Sequence, residues 1–112
     1  MSNQNSIKRV IVYQDNTGKE PFTNWLNSLR DSTTRRRILK RLLRVESGHY
    51  GDYQSVGDGV YELRFFFGAG YRVYFGEDAD TIVVLLTGGD KSSQRRDIKQ
   101  AKDYWRRYLS DV

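Results

Sequence analysis

Three stretches of strand-forming residues follow one another between residues 60 and 87, and no other part of the chain limits the possible folds as strongly. They cover residues 60–67, 71–76 and 81–87, with short connections that favour antiparallel neighbours. The last stretch, TIVVLLT, is apolar on both faces, so we expect it to be central in the sheet and covered.

The segments around these strands predict one more strand and three helices. Residues 7–15 predict an opening strand, and residues 54–56 can add a short edge strand. Apolar spacing predicts helices from about residue 20 to 30, from residue 31 or 32 to 47, and from 94 to 109. We therefore expect one α+β domain over residues 1–112, in which two N-terminal helices and a C-terminal helix accompany a small antiparallel sheet of three to five strands. The helices should cover one face and leave part of the other open.

Composition narrows the chemistry before any motif is considered. The chain of 112 residues has no cysteine and one histidine, so disulfides and thiolate or multi-histidine metal sites are excluded, and we expect neither metal nor cofactor. It has no apolar run of membrane-spanning length and no signal peptide at its start, which predicts a cytoplasmic protein without membrane contact. A formal charge of +5 favours an anionic partner.

The turn at residues 68–70 decides which hairpin residues share a face. A three-residue loop that ends on glycine would pair Phe67 with Tyr71, Phe65 with Val73 and Leu63 with Phe75, and would place these residues in the core. A two-residue turn would instead move Arg72 to the other side. With the longer loop, one face of the sheet carries Glu62, Arg64, Phe66, Arg72 and Tyr74.

That set of side chains is suited to cleaving RNA without a metal. Glu62 can take the proton from a ribose 2′-hydroxyl, while Arg64 and Arg72 stabilise charge on the phosphoryl oxygens. Phe66 or Tyr74 can stack on a base. The structural alternative is that Glu62 pairs with an arginine across the strands and merely keeps an exposed face in solution.

Two further positions have competing interpretations. Lys91 precedes the last helix, where backbone N–H groups attract anions, so a phosphate can bind there; alternatively Asp90 or Ser92 only caps the helix. His49 can act as a general base or be a surface histidine.

A strongly basic helix is predicted between residues 30 and 44. Its cationic side chains lie off the apolar stripe, which indicates binding of RNA or of an acidic protein segment, unless they form only a solvated face. The candidate RNA contacts on this helix are Arg35, Arg36, Lys40 and Arg41.

The chain resembles the RelE/ParE toxin superfamily of type II toxin–antitoxin modules, and its HigB-like addiction-module killer branch most of all. The motifs that carry the resemblance are G-V-Y-E-L-R (59–64), G-x-G-Y-R-V-Y-F (68–75) and L-T-G-G-D-K-S-S-Q-x-x-D-I-x-x-A-K (86–102). The order of elements matches too, so the likeness covers most of the chain.

The resemblance implies a RelE-like fold and a toxin that inhibits translation by cleaving mRNA on the ribosome, an endoribonuclease or mRNA interferase. By position, Arg72 matches the arginine that contacts the scissile phosphate, and Arg64 and Lys91 match neighbouring basic positions. The implied partner is a HigA-like helix-turn-helix antitoxin, through which alone DNA would be contacted. Members of the same fold that inhibit DNA gyrase without chemistry provide the alternative function.

Overall fold

The computed structural model describes residues 7–110. The elements in chain order are β1 (Arg9–Val12), α1 (Pro21–Ser28), α2 (Ser32–Glu46), β2 (Tyr53–Gly57), β3 (Val60–Arg64), β4 (Arg72–Asp78), β5 (Ile82–Gly89), a 3-10 turn (Lys91–Ser93) and α3 (Gln94–Ser110). This order confirms the predicted fold class, including the short edge strand β2. Within residues 7–110 no helix combines the length and apolar character that crossing a membrane requires.

The five strands form one sheet in the order β1-β5-β4-β3-β2. Strands β2 to β5 pair antiparallel, as predicted, whereas β1 pairs parallel with β5. The expectation of a wholly antiparallel sheet is therefore wrong for β1. No short turn joins β1 to β5, so chain connectivity does not impose an antiparallel direction on this pair. β5 is an inner strand, as expected, although β4 occupies the centre.

Helices cover both faces of the sheet, which corrects the expectation that all three would lie on one face. Val83 and Leu85 of β5 belong to the core that packs against α1 and α2, while Val84 and Leu86 belong to a second core under α3. Alternate residues of a strand point to opposite faces, so an inner strand that is apolar throughout needs a cover on each side. The C-terminal helix supplies the second cover.

Two glycines allow tryptophan rings to lie flat against the strands. A Cβ atom at Gly88 would overlap the indole of Trp25 from α1, and one at Gly76 would overlap the indole of Trp105 from α3. Each helix is thus seated on the sheet by one tryptophan at a position where a side chain on the strand would displace it.

The β3–β4 hairpin has a longer loop than predicted. Leu63 lies opposite Val73, and the backbone N–H of Phe65 donates to the carbonyl of Tyr71, so the loop spans five residues, 66–70. The predicted three-residue loop and its pairing of Leu63 with Phe75 are wrong by two positions. A shift of two residues keeps every side chain on its face, so the predicted grouping of core residues is confirmed.

Candidate functional site

Three cationic side chains come together at the end of the sheet beside the β3–β4 loop. Arg64 and Arg72 lie opposite each other on adjacent strands, and Arg72 lies opposite Gly89 on the next strand. Lys91 follows two residues later, and its backbone N–H donates to the carbonyl of Ala69 in the loop. Residues that are far apart in sequence are therefore held together by three neighbouring strands.

Gly70 lies between two of these cations. A Cβ atom at Gly70 would be 3.4 Å from Cβ of Lys91 and 3.5 Å from Nη1 of Arg72. The same Nη1 donates to the carbonyl of Gly70 over 2.8 Å, and Gly70 has a φ of +74° that favours glycine. The loop backbone thereby fixes the guanidinium of Arg72 next to the stem of Lys91.

A buried carboxylate lies behind Arg72. The Nε atom of Arg72 is 3.5 Å from Oε2 of Glu62, a distance suited to an ion pair, although Nε makes no hydrogen bond. Glu62 is 0 % exposed, and the side chain of Arg72 is 14 % exposed. The pair therefore combines a carboxylate that solvent does not reach with a guanidinium that partly reaches the surface.

The carboxylate of Glu62 is held by neutral hydrogen-bond donors as well. Oε2 accepts from the hydroxyl of Tyr74 at 3.0 Å and from Nε2 of Gln94 at 2.9 Å, while Oε1 accepts from Nε2 of Gln54 at 3.3 Å. Burial, followed by the charge of Glu62, raises the pKa of the Tyr74 hydroxyl, so this hydroxyl remains a donor. These contacts fix Glu62 in place.

The sequence predicted that Glu62 and Tyr74 would lie on an open face of the sheet, and this prediction is wrong. Both are fully buried, because α3 crosses this side of the sheet and Gln94 at its start closes over Glu62. A base cannot stack on a ring with no exposed surface, so Tyr74 is not a stacking platform. Burial equally argues against direct contact between Glu62 and a ribose hydroxyl.

Arg64 has its own carboxylate partner at the surface. Its Nε donates to Oδ2 of Asp52 at 2.8 Å and its Nη2 donates to Oδ1 at 3.1 Å, a two-pronged contact in which both side chains are about one-third exposed. The hydrogen bond from Arg64 lowers the pKa of Asp52. An incoming phosphate would have to compete with Asp52 for Arg64, whereas Lys91 is exposed.

The start of the last helix is already capped. The carboxylate of Asp90 accepts hydrogen bonds from the backbone N–H groups of Ser92 at 2.9 Å and Ser93 at 3.3 Å, which agrees with the capping alternative. These N–H groups are therefore not free to bind an anion. An anion next to the start of α3 would therefore have to be bound by other groups, such as the side chain of Lys91.

The cationic side chains of α2 are of two kinds, those with hydrogen bonds inside the protein and those exposed to solvent. Arg41 donates to three backbone carbonyls, those of Tyr50 at 2.9 Å, Arg64 at 2.7 Å and Asp52 at 2.9 Å. Arg41 is therefore a half-buried structural residue and not part of the exposed basic face on which it was predicted. Arg35 is half-buried and donates to the carbonyl of Leu29, whereas Arg36 and Lys40 are exposed as predicted.

Phe66 is exposed at the tip of the loop and remains available for contact with a base. Its side chain is 81 % exposed, unlike Phe65 and Phe67, which pack on the core. His49 is exposed after the end of α2, as its surface alternative predicts. Among residues 7–110 no three histidine or acidic side chains converge in a way that could hold a metal ion.

Sequence reasoning missed three residues of this site. Asp52 binds Arg64, while Gln54 and Gln94 bind Glu62 from opposite sides. No local pattern marks them, because each lies on a different element from its partner. The one available signal was Gln94, which begins a predicted helix and belongs to the motif over residues 86–102 that also contains Lys91.

Comparison with known proteins places this arrangement in a family. A protein of Haemophilus influenzae described as "Uncharacterized protein" is 47 % identical over 81 residues, which cover 72 % of this chain and 82 % of that protein. The family model "Phage derived protein Gp49-like (DUF891)" matches residues 24–108, which begin within α1 and end in the last turn of α3. The chain therefore belongs to the Gp49-like family, a family of RelE/HigB-like toxins.

Proposed function

We propose that the protein is the toxin of a type II toxin–antitoxin module and acts in the cytoplasm as a metal-independent, ribosome-dependent mRNA endoribonuclease. The observation that carries this proposal is the convergence of Arg64, Arg72 and Lys91 at one end of the sheet. Three cations beside an accessible surface can stabilise the negative charge that develops on the phosphoryl oxygens when a phosphodiester is cleaved.

In the proposed reaction the ribose 2′-hydroxyl loses its proton to water and its oxygen attacks the adjacent phosphorus. The P–O bond to the 5′-oxygen of the next nucleotide breaks, which leaves a 2′,3′-cyclic phosphate and a 5′-hydroxyl that has taken up a proton from water. Arg72 binds the scissile phosphate, since its guanidinium is fixed by Gly70 and partly exposed. Lys91 and Arg64 stabilise the charge on the phosphoryl oxygens. Loss of one such fixed donor typically slows a reaction by about 100- to 1,000-fold.

Within this proposal Glu62 is a positioning residue. Its buried carboxylate lies against Nε of Arg72 and keeps that side chain from turning away. A base at position 62 would produce an acidic limb in the pH–rate profile that Glu62→Gln removes. If Glu62 only positions Arg72, Glu62→Gln should lower the maximum rate and leave the shape of the pH–rate profile unchanged. This difference separates the positioning role from the role of general base that the sequence predicted.

The test is expression of Arg72 variants in cells, followed by primer extension on cellular mRNA. The parent should arrest growth and cut mRNA within translated regions. Arg72→Ala should abolish both effects, and Arg72→Lys should restore only part, because a point charge does not reproduce a two-pronged contact. Full toxicity in Arg72→Ala would refute the role of Arg72.

A matched control is Arg9→Gln, which removes one exposed arginine at the far end of the sheet. This variant should remain toxic. If the parent arrests growth while mRNA stays intact and DNA damage appears, the ribonuclease proposal fails and inhibition of DNA gyrase is the better explanation.

The proposal includes a cognate antitoxin, which by the family resemblance would be a HigA-like helix-turn-helix protein that also contacts DNA. Co-expression with the product of the adjacent reading frame should restore growth, and the two proteins should purify together. If no neighbouring product neutralises the toxin, this part of the proposal fails independently of the ribonuclease activity.

A further inference from the structure

A second basic surface lies on the other side of the β3–β4 loop, facing α2. It is a groove of about 390 Å³ whose walls combine cationic and aromatic side chains. No acidic side chain from the described part of the chain lines it. The lining residues are Arg37, Lys40, Arg41, Arg44, Phe65, Phe66 and Phe67.

Guanidinium groups and rings alternate along the groove. The guanidinium of Arg37 lies 3.7 Å from the centre of the Phe67 ring, and that of Arg41 lies 4.9 Å from the centre of the Phe65 ring. Such contacts orient planar groups face to face. Phe66, at the rim, has no such neighbour in the described structure and leaves its ring open to solvent.

Two of the cations in the groove have no internal role. Among residues 7–110 the side chains of Lys40 and Arg44 make neither an ion pair nor a hydrogen bond, and Arg37 contacts only a ring. Arg41, in contrast, is saturated by backbone carbonyls. Three cations are therefore available to an external anion.

The groove and the site that contains Arg72 lie on either side of one loop. The loop over residues 66–70 contributes Phe66 and Phe67 to the groove and Gly70 to the phosphate site. Arg41 also donates to the carbonyl of Arg64, which joins the floor of the groove to the strand that carries Arg64. A flexible polyanion bound at Arg72 can thus pass over the loop and reach α2.

We propose that this groove is a second nucleic-acid subsite, which takes one unpaired base of single-stranded RNA against Phe66 and adjacent backbone phosphates on Arg37, Lys40 and Arg44. This inference rests on the proposed function and adds where the RNA runs beyond the scissile phosphate. Stacking on an exposed ring together with cations along a groove is the usual mode of binding for single strands.

An acidic protein segment would satisfy the same cations but leaves the exposed ring unexplained. Phe66 has no structural reason to be an aromatic residue at a solvent-exposed loop tip. A stacked base uses both the ring and the charges, and a phosphate site on the other side of the same loop favours an occupant that carries a phosphate at every step. RNA therefore accounts for more of the observations than an acidic protein does.

The test measures binding of a fluorescein-labelled, 2′-O-methylated single-stranded oligonucleotide by anisotropy at several salt concentrations. Methylation blocks cleavage because the 2′-oxygen cannot be deprotonated. Phe66→Ala should weaken binding by about tenfold with an unchanged salt dependence. Arg37→Gln should reduce the slope of log K against log salt by about one unit. Both side chains are exposed, so the variants should remain folded.

Two controls make the result specific. Arg9→Gln removes the same charge at the end of the sheet opposite Arg72, from a side chain on the other face of β1 from Val10 and so away from α2, and it should bind like the parent. A duplex of the same sequence offers no unpaired base, so Phe66→Ala should not weaken its binding.

The outcomes separate this inference from the proposed function. If Phe66→Ala and Arg37→Gln bind like Arg9→Gln while Arg72→Ala loses binding, the second subsite is refuted and the phosphate site stands. If the groove variants lose affinity for polyglutamate but not for RNA, the groove binds an acidic protein and the inference is overturned. A parent that binds no single-stranded oligonucleotide overturns the second subsite, while growth arrest and primer extension still decide the proposed function.

Discussion

Replacement of Glu62 by glutamine tests whether the buried ion pair organises the site. The substitution keeps the size of the side chain but removes the negative charge that faces Nε of Arg72 at 3.5 Å. It also replaces the carboxylate oxygen that accepts from Gln54 by an amide NH₂ group, so this hydrogen bond must be remade with the Gln54 amide turned over or be lost. The loss should therefore appear in the free energy of unfolding as well as in activity.

The magnitude follows from the burial of the two partners. Breaking a fully buried ion pair by removing one partner costs about 3–5 kcal/mol. The side chain of Arg72 keeps 14 % of its surface exposed and can turn toward water, so we expect a value near the lower end, about 3 kcal/mol. For a chain of this size that corresponds to a fall in Tm of roughly 10–20 °C.

The measurement is urea unfolding at pH 7, followed by tryptophan fluorescence and circular dichroism. A matched control is Asp52→Asn, which removes the other carboxylate partner of a site arginine. It should have a much smaller effect because both side chains of that pair are about one-third exposed and water screens their charges. The double variant Glu62→Gln/Arg72→Met removes both charges and should recover most of the loss. A Glu62→Gln protein that unfolds within about 0.5 kcal/mol of the parent, or strictly additive single variants, would refute the reasoning.

Three further predictions concern stability. Burial raises the pKa of Tyr74 above its ordinary value of 10.0, so the folded chain keeps this proton while the unfolded chain releases it. The stabilisation that this retained proton gives the folded state is complete below pH 10. Above pH 10 it is lost by up to about 1.4 kcal/mol per pH unit. Tyr74→Phe should therefore reduce the slope of unfolding free energy against pH by that amount. Arg41→Gln should destabilise by roughly 2–4 kcal/mol in the same urea assay, because three carbonyls lose a charged donor, whereas Lys40→Gln should not; equal effects would contradict the difference between them. Gly88→Ala should lower Tm sharply, since its methyl group would overlap Trp25, and an unchanged Tm would show that α1 can shift freely.

Local patterns were enough to predict the element types and the shared face of the two arginines. Apolar spacing of three and four residues predicted α1, α2 and α3, and short runs of strand-forming residues bounded by turns predicted the strands. The hairpin register was wrong by two positions, yet Arg64 and Arg72 still share a face, because side chains in a strand alternate with a period of two. An even error in register leaves the faces unchanged.

The environment of each side chain could not be predicted in the same way. Glu62 became a buried carboxylate because Gln94, 32 residues later, begins a helix that closes over it. Arg41 became a structural residue because its guanidinium meets the carbonyl of Arg64, 23 residues away. A pattern within a window of a dozen residues contains no information on such contacts.

The sequence by itself therefore determined which elements form, which residues share a strand face, and that cations would be concentrated on one hairpin and one helix. Only the tertiary structure decided that α3 covers the second face, that β1 joins β5 in parallel, and which cations remain available to a ligand. The physical reason is that periodicity and turn chemistry act between near neighbours in the chain. Burial and charge pairing depend instead on how distant elements pack, and this packing makes Glu62 a buried partner of Arg72 while it leaves Lys91 exposed.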